Sequence, residues 1–414
     1  METQGAAQQT LAGVALQAPD PGRFKDLLST VQSLSQAPLY KDSRADLLID
    51  GPETYTAMFE AIQTAQEFIH LETYIFADDE VGTKFAEALL QKALDGVTVR
   101  VIYDSLGSAG SSSDFFDQME SAGIELIEFH GINPMEGGNP LKINNRDHRK
   151  LLIVDGRVAF TGGLNLSREY SSNSSGGFGS RSLPGGWRDS HIAIHGPAVE
   201  AFEWIFEQQW VEQGGAFEVE PLDGLTFEAA GNDLVAVLQS EGGDGEVSSI
   251  YLAYREAMRS AVQNIWITQA YFAPDKDFMQ EIRMAVQRGV DVRLLVPGNS
   301  DSSLLLHASR SRYGELLRED VRIYESRSSV LHAKTAVIDS VWSTVGSSNL
   351  DYRSFLHNDE INAVVLGAHF ARQMEAQFQK DLENSHEVTL KDWESRSLSD
   401  RLKEFFSWII EYWL

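Results

Sequence analysis

The sequence predicts an α/β protein made of two homologous α/β/α domains that form a pseudo-dimer. The first observation is a motif that occurs twice with identical internal spacing, at His148–Asp155 and at His332–Asp339. The second is that short β-branched runs alternate with amphipathic helical patterns in both halves of the chain, which is typical of α/β domains. Because the order of these patterns also repeats, duplication of a whole domain explains the chain best.

The first half is predicted to alternate helices and strands. Its helices carry apolar residues at helical spacing, and Gly96 ends the second of them. The predicted elements are a helix beginning at Thr54, a strand at Ile69–Phe76, a helix at Gly82–Leu94, a strand at Val97–Tyr103, a helix at Ser111–Ala122 and a strand at Ile124–Phe129. The strand of the first motif follows at Leu151–Val154, a short run that reads as buried.

The second half repeats this order. Its predicted elements are a helix at Tyr254–Ala261, a strand at Ile265–Phe272, a helix at Asp277–Arg288 and a strand at Gly289–Leu295, whose sequence mirrors Gly96–Ile102. We place the seam between the halves at Gly214–Asn232 and expect a surface loop at Glu241–Gly245. The predicted domains are therefore residues 39–225 and 226–388, between a flexible segment at 1–38 and a helical segment at 389–414.

Composition narrows the possible functions. The 414 residues include no cysteine, which excludes a disulfide framework, a thiolate zinc site and a cysteine nucleophile. The formal net charge of −27 argues against a dedicated nucleic-acid binder, which would carry a basic face. No apolar run approaches the roughly 18 residues of a membrane-spanning helix, and Met1–Asp20 lacks the basic start of a secretory signal.

Each copy of the motif brings an imidazole, an ammonium group and a carboxamide together, a set suited to a phosphodiester anion. A His and a Lys two positions apart on a strand share a face, about 7 Å apart along it. The residues concerned are His148, Lys150 and Asn165 in the first copy and His332, Lys334 and Asn349 in the second.

Other motif positions are small or lie on the opposite strand face. Gly162 and Gly163 in the first copy, and Gly346 and Ser347 in the second, lack bulky side chains, so backbone and ligand can approach closely there. We therefore assign these four residues to substrate binding. Asp155 and Asp339 point to the other face, which favours a structural role for both.

The duplicated pattern resembles the phospholipase D superfamily, and it is most similar to bacterial cardiolipin synthases. The resemblance extends from about Ile49 to Val388. The stretches that carry it besides the two motifs are Ile69–Phe76, Gly289–Arg293, Val296–Asp301 and Gly346–Phe355. The sequence departs from the family at Gly163, where Ser is usual. It also lacks the paired N-terminal membrane helices of one subgroup, and so it resembles the shorter form.

The resemblance implies one active site shared by the two domains. One imidazole attacks phosphorus to form a phosphohistidine, and the other protonates the leaving alcohol and then deprotonates the acceptor. By resemblance, His148 attacks and His332 is the acid and base. The Lys and Asn residues of both motifs surround the phosphoryl oxygens. Asp189 and Glu360 match the positions at which an acidic residue orients the motif histidine. No metal or other cofactor is expected.

Cardiolipin synthases move a phosphatidyl group onto a hydroxyl of a second phospholipid, commonly phosphatidylglycerol. The resemblance therefore implies phospholipid substrates and a peripheral position on the cytoplasmic side of a bacterial cell membrane, with no nucleic-acid partner. The alternative is a phosphodiesterase of the phospholipase D type that hydrolyses phospholipids or, less in keeping with the negative charge, nucleic acid. Water and an alcohol can attack the same intermediate, so transfer and hydrolysis stay open, as does the oligomeric state.

Two stretches have no counterpart in the other half. Ser171–Gly186 is rich in Gly and Ser, and it is either a flexible lid or a disordered insertion. In Arg401–Leu414, an apolar stripe recurs at helical spacing, opposite Lys403, Glu404, Ser407 and Glu411. The stripe consists of Leu402, Phe405, Phe406, Ile409, Ile410 and Trp413. This helix either lies at a membrane surface or docks on the protein's own core or on a second subunit.

Overall fold

The fold consists of two copies of one α/β unit joined edge to edge. The computed structural model describes residues 11–131, 144–172, 186–217, 225–243, 247–300, 302–327 and 330–410. In these ranges sixteen strands form one continuous mixed sheet, and two further strands form a small second sheet. No helix in the same ranges is long and apolar enough to cross a membrane.

The first copy begins after an N-terminal helix, α1 (Pro21–Ser35), and its elements lie close to their predicted positions. Its helices are α2 (Asp50–Thr64), α3 (Glu80–Leu94), α4 (Ser113–Ser121) and α5 (Val199–Glu212). Its strands are β1 (Leu39–Ile49), β2 (Phe68–Thr73), β3 (Thr98–Asp104), β4 (Glu125–Phe129), β5 (Arg146–Asp147), β6 (Lys150–Val154), β7 (Val158–Gly162) and β8 (Ser190–His195).

The second copy continues the numbering. Its strands are β9 (Asp233–Ser240), β10 (Asn264–Gln269), β11 (Phe272–Ala273), β12 (Asp291–Pro297), β13 (Arg322–Ser326), β14 (Lys334–Ile338), β15 (Trp342–Gly346), β16 (Leu350–Asp351), β17 (Asn358–Leu366) and β18 (Ser385–Val388). Its helices are α6 (Ser249–Ser260), α7 (Lys276–Gln287), α8 (Ser303–Ser311), α9 (Tyr313–Arg318), α10 (Tyr352–Leu356) and α11 (Ala368–Glu383), followed by α12 (Leu390–Glu394) and α13 (Leu398–Ile410).

The strand order confirms that a whole domain is duplicated. The first half of the sheet runs β1-β8-β7-β6-β2-β3-β4, and the second runs β9-β17-β15-β14-β10-β12-β13. Each strand of one series thus has a counterpart at the same place in the other. The two series meet where β1 pairs antiparallel with β9. The predicted α/β class and the two homologous units are therefore correct, and α5 ends at Glu212 before β9 begins at Asp233.

Apolar layers cover both faces of this long sheet. One core lies between the first half of the sheet and its outer helices and includes Phe85 and Leu89 of α3. Another core spans both halves, because Phe202 of α5 and Phe370 of α11 pack into the same cluster. The two copies therefore share one hydrophobic interior on the face that carries α5 and α11. This shared interior fixes the relative position of the two motif strands.

The predicted strand at Ile265–Phe272 is interrupted, and this break helps to build the site. β10 ends at Gln269, and Phe272–Ala273 instead pairs with Leu350–Asp351, directly after motif residue Asn349. In the first copy Phe76 bridges Leu166, directly after Asn165, in the same way. In each copy, the segment that follows β2 or β10 therefore pairs with the segment that follows the motif asparagine.

The prediction of a flexible N-terminal segment is wrong for residues 11–38. The side chain of Asp20 accepts hydrogen bonds from the N–H groups of Gly22 and Arg23, so it caps α1. Phe24 and Leu27 of α1 are buried in the core of the second copy. Proline at the first helical position and apolar residues at helical spacing explain this helix. Residues 1–10 lie outside the described ranges.

The C-terminal helix α13 packs along α8. The residues that contact the protein include Glu404 and Ser407, which the sequence places opposite the apolar stripe, and both are buried. Arg396 pairs with Glu404 at 2.8 Å, which compensates the burial of this carboxylate. Leu402 of the stripe is 58% exposed. Residues 411–414 lie outside the described ranges, as do 173–185 of the predicted loop at Ser171–Gly186 and 244–245 of the predicted surface loop at Glu241–Gly245.

Candidate active site

The motif strands lie in the interior of each copy. Every residue of β6 and β14 is buried. Each strand turns tightly into the next one through left-handed residues, with φ of 50° at Asp155 and 53° at Asp339. The Asp155 carboxylate accepts hydrogen bonds from the N–H groups at the start of β2, including Gln66 at 2.8 Å. Asp339 accepts from Gln263 before β10 at 2.8 Å. Both aspartates thus tie the motif strand to its neighbour.

The two histidines are anchored across the interface between the copies. The N–H of His148 donates to the carbonyl oxygen of Asp359 at 2.9 Å, and the N–H of His332 donates to that of Arg188 at 2.8 Å. In both cases the acceptor precedes a predicted orienting acid of the opposite copy. The pairing of β5 with β17 extends this contact on one side. Each histidine therefore takes its backbone position from the other copy.

The orienting acids also cross the interface. Nδ1 of His148 lies 3.0 Å from both carboxylate oxygens of Glu360. Nδ1 of His332 lies 2.8 Å from Oδ2 of Asp189. A carboxylate at Nδ1 favours the tautomer that carries its proton there, so Nε2 of a neutral ring keeps its lone pair. The structure thus brings Asp189 and Glu360 to the positions that the sequence analysis assigns them.

Burial and the two lysines control the charge of this site. The ammonium of Lys150 donates to the carbonyl of His148 at 2.6 Å, and Lys334 lies 2.9 Å from Nδ1 of His332. Burial, followed by the charges of Lys150 and Lys334, holds the pKa of His148 well below its usual value. Burial lowers the pKa of Lys150 to about 7. A bound anion would favour the protonated lysine, because opposite charges stabilise each other.

The two carboxylates respond differently to this environment. Burial raises the pKa of Glu360 to about 7, against the lowering effect of Lys150. At Asp189 burial also acts to raise the pKa, but the hydrogen bond and charge of His332 outweigh it, so the pKa lies below its usual value. Asp189 therefore favours its ionised form more strongly than Glu360 does. The two histidines are thus held in unequal surroundings despite the repeated fold.

The two motif asparagines are held by different contacts. Asn165 accepts from the N–H of Ile75 at 3.3 Å and donates to the hydroxyl of Tyr170 at 3.0 Å. The backbone N–H of Asn349 donates to the hydroxyl of Ser354 at 3.2 Å. Both asparagines are almost fully buried. That they offer an amide N–H to a phosphoryl oxygen, as the sequence analysis expects, stays a prediction.

The small motif residues make room for protein atoms. A Cβ at Gly163 would lie 2.1 Å from Oδ1 of Asp189, and one at Gly346 would lie 2.2 Å from Oδ1 of Asn362. Ser347 donates to Oε2 of Glu360 at 2.5 Å. Gly162 has a φ of 155° and faces the backbone of His191. The space beside these residues is thus filled by the protein itself, and a direct contact between them and substrate stays a prediction.

Sequence reasoning missed two parts of the site. The hydroxyl of Tyr170 lies 3.3 Å from Nδ1 of His332. Five positions after each motif asparagine stands a hydroxyl residue, Tyr170 or Ser354, and this regularity was a usable signal. Behind the first motif, buried Arg149 is 3.4 Å from Glu72 and 3.1 Å from Gln209. No spacing rule joins these residues, because they meet only in the folded sheet.

No group of three or more His, Asp or Glu side chains in the described ranges has a geometry suited to a metal ion. The groups around the motif histidines are carboxylates, ammonium groups, amides and hydroxyls of the chain itself. These residues can bind an oxyanion, hold a proton on one imidazole and leave the other as a nucleophile.

Comparison with known proteins gives a consistent result. Residues 58–175 and 254–382 match the family described as cardiolipin synthase, PLD-like domain. The protein named Cardiolipin synthase 2 of Bacillus anthracis is 36% identical over 363 residues, which are 86% of this chain and 68% of that protein. Cardiolipin synthase 1 of Bacillus cereus is 34% identical over 403 residues, which are 95% of this chain and 77% of that protein.

The fold also occurs in a solved structure. The crystal structure of phosphatidylserine synthase of Haemophilus influenzae Rd KW20 matches with a TM-score of 0.71, over 94% of this chain and 100% of that chain, at 13% sequence identity. That likeness concerns the fold. The two matching regions and the relatives at 34–36% identity confirm the predicted superfamily. The chain belongs to the cardiolipin synthases with a phospholipase D-like domain, a family of phosphatidyltransferases.

Proposed function

We propose that the protein transfers the phosphatidyl group of one phospholipid to a hydroxyl of a second. Phosphatidylglycerol is the donor and the acceptor, so the products are diphosphatidylglycerol (cardiolipin) and glycerol. The observation that carries the proposal is the crossed arrangement of His148 with Glu360 and His332 with Asp189. It supplies two oriented imidazoles, which a double displacement at phosphorus needs.

In the first step, Nε2 of His148 attacks the donor's phosphorus, and the bond from phosphorus to the glycerol head group breaks. His332 gives its proton to the oxygen of the departing glycerol. The depressed pKa of His148 keeps this imidazole neutral and nucleophilic. Glu360 accepts the Nδ1 proton in a hydrogen bond and stabilises the ring as positive charge develops.

In the second step, the proton moves in the opposite direction. His332 removes the proton of the acceptor's hydroxyl, that oxygen attacks phosphorus, and the bond from phosphorus to His148 breaks. Asp189 stabilises the imidazolium that forms. Lys150 and Lys334 neutralise the phosphoryl oxygens in both steps. No atom or electron is left over, because the proton given in the first step is recovered in the second.

We also propose that the protein works at the cytoplasmic face of a bacterial cell membrane as a peripheral protein. The supporting observation is the orientation of α13, whose residues Glu404 and Ser407 pack on the protein while Leu402 is largely exposed. A diacyl lipid must reach the site from a bilayer. Leu402 belongs to the apolar stripe, and an exposed apolar side chain on an amphipathic helix can enter the membrane interface.

The test is product analysis with the full chain. Vesicles containing two phosphatidylglycerols of different acyl length are incubated with the protein, and the lipids are identified by mass spectrometry. Diphosphatidylglycerol with mixed acyl composition and an equal amount of glycerol are expected, also in excess chelator. Phosphatidic acid as the only phospholipid product would show hydrolysis and overturn the transfer proposal, and so would the absence of both products.

Two variants make the test specific. His148→Asn and His332→Asn should each abolish product formation, because the double displacement needs both imidazoles. The matched control is His195→Asn at the end of β8, whose imidazole is 27% exposed and paired with Asp46 at 3.4 Å. This control should retain wild-type turnover.

A further inference from the structure

We propose that Tyr170 is a positioning residue that couples Asn165 of the first copy to His332 of the second. Its hydroxyl lies 3.0 Å from Nδ2 of Asn165 and 3.3 Å from Nδ1 of His332. It therefore connects a group that binds the phosphoryl oxygens with the imidazole of the opposite copy. The inference rests on the proposed role of His332 as acid and base.

The position of Tyr170 is fixed by its own copy. The residue lies on a short 3-10 helix, Arg168–Tyr170, and is 1% exposed. A Cβ at Gly51 would lie 1.7 Å from the carbonyl oxygen of Tyr170, so α2 approaches this backbone as closely as glycine allows. The hydroxyl of Tyr55, also on α2, donates to the carbonyl of Asn165 at 2.6 Å. The tyrosine and the asparagine are thus held on one rigid support.

The hydrogen bonds of Asn165 show what the Tyr170 hydroxyl contributes. The amide oxygen accepts from the N–H of Ile75, and one amide N–H donates to the hydroxyl. These two contacts fix which end of the amide is the donor, so that its second N–H is available to a phosphoryl oxygen. Without the hydroxyl, the amide would keep one anchor and could rotate away from this orientation.

The contact with His332 has a different effect. Nδ1 has its principal acceptor in Asp189 at 2.8 Å, and the hydroxyl oxygen at 3.3 Å is a second, weaker acceptor. Rings packed edge-on or tilted also confine the imidazole, namely Tyr170 with centroids 5.6 Å apart and Trp187 with centroids 5.2 Å apart. A second acceptor at Nδ1 favours a proton on this nitrogen and keeps the plane of the ring directed at the carboxylate.

The equivalent residue in the second copy has different hydrogen-bond partners. Ser354 stands five residues after Asn349, as Tyr170 does after Asn165. Its oxygen accepts from the backbone of Asn349, and its side chain bonds the carboxylate of Glu360. One hydroxyl therefore meets an imidazole and the other meets a carboxylate. This difference separates the surroundings of the two histidines, although the fold around them is repeated.

The groups that face His332 come from several elements. They are Asp189 at the start of β8, Lys334 on its own strand, His148 across the interface, and the rings of Tyr170, Trp187 and Tyr271. The change of Tyr170 to phenylalanine removes the hydroxyl that lies 3.3 Å from Nδ1 of His332 and keeps the ring. This change isolates the hydroxyl from the packing.

The test is Tyr170→Phe in the full chain. Turnover should fall by about tenfold with KM nearly unchanged, because a single hydrogen bond is worth on the order of 1 kcal/mol and the lysines still bind the phosphate. In nitrogen-15 NMR of histidine-labelled protein without substrate, the Nδ1–H signal of His332 should shift. Ser354→Ala is the matched control and should leave that signal in place.

The outcomes separate the possible failures. Wild-type turnover together with an unshifted NMR signal in Tyr170→Phe would overturn the proposal, and so would an equal NMR shift in Ser354→Ala. If Tyr170→Phe does not fold, 3-fluorotyrosine at position 170 keeps the hydroxyl and changes its acidity. The His332 signal should then still shift, and an unchanged signal would overturn the proposal. Because the NMR measurement needs no substrate, it remains decisive even if the protein forms no diphosphatidylglycerol.

Discussion

Gly163 lies directly against the side chain of Asp189: a Cβ at position 163 would lie 2.1 Å from Oδ1 of Asp189. In the second copy the same two positions hold Ser347 and Glu360, and the serine donates to the glutamate at 2.5 Å. Aspartate is one methylene shorter than glutamate, so its carboxylate lies closer to the strand. A side chain at position 163 is therefore incompatible with Asp189 in its observed place.

The first prediction follows from this relationship. Gly163→Ala should displace Asp189 and lower turnover by about a hundredfold, because a misplacement of about 1 Å in an active site can cost that much. Ser347→Ala, the matched control, removes only one hydrogen bond and should cost no more than about tenfold. Turnover and thermal unfolding are measured for both variants. Equal losses in the two variants would contradict the role of the glycine.

A second prediction concerns the covalent intermediate. The neutral imidazole of His148 should carry the phosphoryl group, because its pKa is depressed by burial and by both lysines. Rapid quenching with isotopically labelled phosphatidylglycerol, digestion at alkaline pH and peptide mass spectrometry should find the label on His148. A label on His332 alone would reverse the two roles and leave the rest of the mechanism in place.

The dependence of activity on pH gives a third prediction. Glu360 must be ionised and Lys150 protonated, and each has a pKa of about 7 in the free enzyme. Therefore kcat/KM should fall as the pH drops below about 7, where Glu360 gains a proton, and also as it rises above about 7, where Lys150 loses one.

The alkaline limb can be assigned by substitution. Lys150→Arg keeps its charge at every accessible pH, so it should lose the alkaline limb and keep the acid limb. Lys150→Met should lower turnover by on the order of a hundredfold across the range. An alkaline limb that persists unchanged in Lys150→Arg would exclude this lysine as its source.

A fourth prediction tests the charges behind the first motif. Arg149 faces the buried carboxylates of Glu72, Asp147 and Asp359. Arg149→Met should lower the free energy of unfolding by about 3–5 kcal/mol, since it leaves buried acids without their cation. The control is Arg157→Met, whose side chain is 63% exposed and 3.9 Å from its partner Asp155, and it should change stability little.

The direction in which pH changes the loss of stability in Arg149→Met can also be predicted. Burial raises the pKa of Glu72, Asp147 and Asp359 in the folded protein. Acids with a raised folded pKa contribute stability that is present at low pH and is lost as the pH rises through that pKa. The deficit measured by urea denaturation should therefore shrink between pH 7 and about 4. A deficit that grows on acidification would contradict this interpretation.

The fifth prediction addresses the membrane. Leu402→Glu on α13 places a charge on the exposed side of this helix and should reduce flotation with vesicles of phosphatidylglycerol and phosphatidylcholine. Leu94→Glu is the control, because Leu94 is 72% exposed at the end of α3 in the first copy. Equal flotation of both variants and the wild type would show that the membrane contact lies elsewhere.

Local patterns predicted the repeated architecture and most of the site. The motif spacing needed only short-range reasoning, because strand periodicity decides which side chains share a face. Asp189 and Glu360 were assigned by the resemblance to the superfamily. The helix α1 was also predictable in principle from Asp20, Pro21 and the apolar spacing after them. The expectation of flexibility failed because the surface that covers α1 belongs to the second copy, which residues near the N-terminus do not reveal.

Contacts between the copies were the part that sequence could not supply. Tyr170 and His332 are 162 positions apart, and His148 and Glu360 are 212 apart. Their meeting depends on how β1 pairs with β9 and on the apolar layer that both copies share. Glu404 is a similar case, because its burial depends on Arg396 and on the packing of α13 along α8. Which residues form such pairs depends on how folded parts of the chain pack against one another.

The joining of both copies in a single chain has a consequence for how the site can change. In a symmetric assembly of two identical chains, every substitution appears on both sides of the axis at once. Here β1 and β9 belong to one polypeptide, so each side mutates independently. Gly163 could be combined with Asp189 while Ser347 kept Glu360, and a tyrosine could replace a serine beside only one histidine. Covalent linkage thus allows an inherited symmetry to be broken one residue at a time.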